Sequence, residues 1–89
     1  MFELRNRKLV GLNTVYKAAL ATRSEKGVAA LREAQRAWIT YRDAAAEAYG
    51  TGEEGDSLEA LMVLRCSEAL TKDRTAELKK LYLSDHYPY

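Results

Sequence analysis

Glu53, Glu54 and Asp56 lie within one short run, interleaved with Gly52 and Gly55. Paired carboxylates can cleave glycosidic bonds when a cleft holds them about 5–10 Å apart and raises one pKa. A glycine-rich loop neither fixes nor dehydrates them, so proton transfer is not their chemistry. A calcium loop needs oxygens regularly spaced around a central glycine and a bidentate Glu. This run is too short and irregular for that. What it fits is contact with a basic partner.

Cys66 and His86 are each the single residue of their type. One cysteine allows neither an internal disulfide nor a Cys-rich zinc cluster, and one histidine nearly excludes a His-based metal site. A nucleophilic cysteine wants a histidine and an electropositive niche nearby. His86 sits in a polar terminal segment, whereas Cys66 falls among apolar helical positions, where a cysteine reads as a small buried hydrophobe. Phosphate loops and dinucleotide fingerprints are absent, and Arg5, Arg7 and Lys8 lack the interleaved aromatics of a nucleic-acid arm. Neither a cofactor nor a metal is expected.

Further polar candidates sit inside a helical stripe. Val28, Leu31, Gln35, Trp38, Arg42, Ala45 and Tyr49 repeat at 3-4-3-4-3-4 spacing, which predicts one long helix over residues 25–49 with Trp38 as its core anchor. Gln35 and Arg42 fall where leucines would be expected. They lie at the stripe's edge with only their stems covered, join a polar network that fixes register, or line a ligand site. Asp43, Glu47 or an acid from another helix can pair Arg42, and Arg74 is a candidate member of the same network.

The elements that must position these residues are helical throughout. Proline occurs once, at Pro88, so nothing breaks a helix earlier. Leu9, Leu12, Tyr16 and Ala19, widened by Val15 and Leu20, predict a first helix over residues 3–22, weakened at Gly11. Ser24 is placed to cap the second helix. Alanines at 29, 30, 34, 37, 44, 45, 46 and 48 give that helix high propensity. Asp56 and Glu59 read as a capping box for a third helix burying Leu58, Leu61, Met62, Cys66 and Ala69. Thr71 is placed to cap a further segment facing Leu78, Leu81 and Tyr82 inward, and the third and fourth segments are either separate or one kinked helix. The expectation is all-α: a single domain over 1–89, a small antiparallel bundle of three to four helices with one long central helix. Its core spans about 9–83, with 84–89 as a C-terminal tail.

Charge supports this reading and divides it. Fourteen basic and thirteen acidic residues leave +1, which gives no global case for nucleic acid or an anionic membrane. Residues 1–42 hold nine basic and three acidic side chains, +6, and residues 43–73 hold two and eight, −6. Antiparallel helices of opposite charge packed side by side account for this, as do two exposed patches of opposite sign. The longest tight apolar run is Ala60 to Leu64, far short of the ~20 residues of a membrane span. Residues 1–20 show no secretory signal, so the chain as written reads as cytoplasmic, or as periplasmic or secreted if a segment is removed before Met1.

Three motifs carry a family resemblance. The string Leu31-Arg32-Glu33-Ala34-Gln35-Arg36-Ala37-Trp38-Ile39-Thr40-Tyr41-Arg42-Asp43-Ala44 resembles the signature helix of the lysozyme inhibitor LprI-like family, small bacterial helical domains. Leu12-Asn13-Thr14-Val15-Tyr16 resembles its Leu-Asn-x-x-Tyr motif, and Cys66-Ser67-Glu68-Ala69-Leu70-Thr71-Lys72-Asp73-Arg74 its Cys-x-x-x-Leu-Thr-x-x-Arg motif. With Glu77-Leu78, the resemblance runs over about residues 9–81. Family members are usually exported and carry further cysteines, one shortly after the Arg-Asp pair. This chain reads Ala44-Ala45-Ala46 there, which leaves Cys66 without a visible partner. The resemblance implies a non-enzymatic binding protein with a protein partner, such as a lysozyme, contacted through Glu53, Glu54 and Asp56. The alternative is a cytoplasmic interaction or assembly module, which the missing signal and missing cysteines favour.

Overall fold

A computed structural model of the protein describes residues 11–52 and 56–84, apart from the side chains of Asp56 and Ser57. Among the described residues it contains three α-helices: α1 (Leu12–Ala21), α2 (Glu25–Gly50) and α3 (Asp56–Leu78). A π-helical turn, Lys79–Leu83, continues α3.

Local chemistry sets the helix ends. Gly11 is extended, at φ −75° and ψ 141°, so α1 begins at Leu12 rather than running through the glycine. The rest of the expected 3–22 helix, with Leu9, lies outside the described residues. At the far end the Thr22 and Arg23 amides bond to the Ala19 and Leu20 carbonyls, each at 3.0 Å, and close the last turn. The Ser24 hydroxyl accepts from the Gly27 amide at 3.2 Å, the cap expected from the sequence. The α2 helix ends as the Thr51 amide and hydroxyl both donate to the Glu47 carbonyl, at 3.0 and 2.7 Å. Gly52 follows at φ +101°, a conformation that side-chain-bearing residues rarely adopt.

The second and third helices form an antiparallel hairpin, because descending positions on α2 meet ascending positions on α3. Gly50 lies against Val63, Arg42 reaches Thr71 and Gln35 reaches Arg74. The α1 helix packs at only one end of this hairpin. There Val15, Ala19, Leu31 and Leu78 form the buried cluster, with Leu12, Tyr16, Leu20 and Tyr82 packed around it. Trp38 is half-buried and stands outside this cluster, so the core centres on Leu31 and Leu78 rather than on the expected tryptophan anchor.

Other expectations also change. Residues 56–78 are one helix, and Thr71 lies within it, its hydroxyl bonded to the Ser67 carbonyl at 2.8 Å instead of capping a new segment. The predicted apolar face of α3 is not buried: Leu58 and Leu61 are each 40% exposed, Ala69 is exposed, and Met62 and Cys66 are half-buried. At about 100° per residue the expected positions do share one side, about 140° wide, but Thr75 and Leu78 point more than about 100° away from its centre, so the helix packs through a different side. The buried positions are Thr75 and Leu78. On α2, Tyr49 is 59% exposed, while Ala46 and Gly50 are buried. A 3-4 repeat drifts by about 20° per heptad on a straight helix, enough over three heptads to move the stripe by one residue.

Candidate functional site

Two places on the α2–α3 hairpin gather polar side chains. One is a network midway along it. The Arg74 guanidinium donates to the Gln35 side-chain oxygen at 3.0 Å and to Glu77 at 2.7 Å. Gln35 is only 6% exposed, and the Arg74 side chain 11%. Two turns along α2 from Gln35, Arg42 donates to Asp43 at 3.0 Å and to the Thr71 hydroxyl at 3.4 Å. Trp38 lies between the two cations, its ring 5.2 Å from the Arg42 guanidinium carbon and 5.9 Å from that of Arg74. The ring faces stabilise each guanidinium as solvent is withdrawn from it.

The network's chemistry is positional. A buried charge without partners costs several kcal/mol, and here the hydrogen bonds are complete: among the described residues no buried side-chain nitrogen or oxygen lacks a partner. Gln35 and Arg74 can meet only in one register of the two helices. Sliding either helix by a turn would separate the two groups.

The second place is a shallow groove nearer the hairpin's loop. Glu47 and Glu59 face it from opposite helices, and Ala60, Val63, Leu64 and Ser67 line it. It continues along α2 past Asp43, Ala44 and Ala46. The two helices approach closely at its loop end: a Cβ on Gly50 would stand 2.6 Å from a Val63 methyl carbon and 3.0 Å from the Glu59 carbonyl oxygen. Among the described residues, no basic side chain lies within ion-pairing distance of Glu47 or Glu59, whereas Asp43 is held by Arg42.

The structure brings together Gln35, Arg42, Asp43 and Arg74, the four network candidates. It adds Thr71, Glu77 and the Trp38 ring. Glu77 stands three residues after Arg74, a spacing visible in the sequence as an ion-pair signal on a helix. Of the acidic-loop candidates, Glu53 and Glu54 lie outside the described residues, and Asp56 is described only as the first residue of α3. Glu47 and Glu59 reach a common groove only through the helix pairing, which no local pattern reveals. Cys66 is a half-buried free thiol, and His86 lies outside the described residues. No group of three or more His, Cys, Asp or Glu among the described residues is arranged to hold a metal. No described helix is long and apolar enough to cross a membrane.

Comparison with known proteins gives two findings. A family model described as lysozyme inhibitor LprI matches residues 7–78. An uncharacterized protein of Rhizobium meliloti (strain 1021) is 52% identical over 52 residues, covering 58% of this chain and 37% of that relative. The chain thus aligns to little more than a third of that relative's length. No solved structure matches.

Proposed function

The chain belongs to the lysozyme inhibitor LprI family, and we propose on that ground that it is a non-enzymatic binding protein whose partner is a lysozyme or a related glycan hydrolase. The single observation that carries this reading is the family match over residues 7–78. The charge distribution supports it. Lysozymes are commonly basic, and residues 43–73 carry eight acids against two basic residues. Glu53, Glu54 and Asp56 are proposed as further partner contacts. Gln35, Arg42, Asp43 and Arg74, with Trp38 between the cations, are proposed to hold the hairpin in register, so that the acids of both helices stand at fixed separations.

A turbidity assay tests the reading. Purified protein at micromolar concentration is mixed with a basic lysozyme and a suspension of susceptible cells. Slower clearing is the expected outcome. Undiminished lysis with lysozymes of several types would overturn the proposal.

A further inference from the structure

We propose that the groove between the C-terminal half of α2 and the N-terminal half of α3 is the docking surface for a basic protein segment, one presenting an aliphatic side chain flanked by Lys or Arg. The proposal takes its partner class from the inhibitor reading and adds the surface. Three observations carry it. The groove has an apolar strip, formed by Ala60 and Val63 with Leu64 left 54% exposed, set between the acids Glu47 and Glu59 and Ser67. Glu47 and Glu59 stand on opposite helices with no cation of the described chain within ion-pairing distance. The close Gly50–Val63 approach sets the spacing of the two helix backbones that carry these carboxylates.

Charge decides the occupant. A second copy docked here about a twofold axis would set Glu47 and Glu59 against their own equivalents, within a stretch of net charge −6. Like charges so placed repel. An anionic lipid surface is disfavoured for the same reason. A cationic segment instead neutralises both carboxylates while its aliphatic side chain covers Leu64 and Val63. Desolvating a carboxylate is offset only when an opposite charge replaces the water, and this occupant supplies that charge.

The test uses the full chain and two probes, a basic lysozyme and a short helical peptide rich in Arg and Leu, each titrated at low and high salt. The double reversal Glu47→Lys/Glu59→Lys should weaken binding of both probes by at least about tenfold. Ala60→Trp, which fills the groove without changing charge, should do the same. Glu33→Lys, on an exposed surface of α2, should change binding by less than about twofold. Circular dichroism checks that each variant keeps its helices. Wild-type affinity in both the double reversal and Ala60→Trp would overturn the groove assignment, even if the protein still inhibits lysis. Peptide binding that depends on Glu47 and Glu59, without any lysozyme binding, would support the groove and remove the inhibitor reading. Binding of neither probe would overturn both.

Discussion

The two ends of the α2–α3 hairpin are built differently. At one end α1 adds a third helix, and Val15, Ala19, Leu31 and Leu78 are sealed from water. At the other, among the described residues, only two helices meet. Ala46 and Gly50 are buried there, while Tyr49, Leu58, Leu61 and Leu64 remain substantially exposed. A two-helix layer buries only small residues such as Ala46 and Gly50 at its seam, so its larger apolar side chains must face water or a partner. The closed end therefore holds the fold, and the open end offers a surface. Between them the Gln35–Arg74 hydrogen bond joins the two helices.

Substitutions can break or sharpen this contrast. The largest loss of stability is expected at the closed end. Leu78→Ala removes a fully buried side chain and should cost about 2–5 kcal/mol, measured by urea denaturation. Arg74→Ala should cost about 1–3 kcal/mol, because the buried Gln35 loses its partner. A double-mutant cycle with Gln35→Ala should return a coupling of about 0.5–3 kcal/mol, and a coupling near zero would remove the register role. Gly50→Ala sets two effects against each other. Helix propensity favours alanine by about 1 kcal/mol, but the new Cβ meets Val63 and the Glu59 backbone, an overpacking that costs about 1–3 kcal/mol. A net loss is expected, and a net gain in thermal stability would show that the helices separate there easily. Leu58→Gln, at the open end, should change stability by less than about 0.5 kcal/mol. A large loss would mean that this end also carries the fold.

Much of this organisation was legible in the residues. The α2 helix follows from its alanines and its 3-4 repeat, and Ser24 declares its start. Gln35 and Arg42 stood out as polar residues on an apolar stripe, and they do meet partners from α3. The inward face of α3 was not legible. Leu58 and Leu61 draw attention to a side turned away from Leu78, while Thr71 and Thr75 turn inward with their hydroxyls bonded to carbonyls one turn earlier, at 2.8 Å each. A threonine satisfied within its own helix buries almost like a valine, and hydropathy does not register that. Tyr49 misled for a different reason, since a heptad repeat slips on a straight helix. The groove was invisible because its two acids, twelve residues apart in the chain, become neighbours only through the hairpin. The acidic run of Glu53, Glu54 and Asp56 is prominent in the sequence, but Glu53 and Glu54 lie outside the described residues.

The central claim is that the open end receives a basic partner while the closed end maintains the fold. Amide hydrogen exchange of the full chain, with and without a basic lysozyme in excess, tests it most directly. The account predicts added protection along residues 43–50 and 58–67, which border the groove, and unchanged exchange along α1, residues 12–21. Added protection confined to α1, with the groove helices unchanged in the complex, would contradict it.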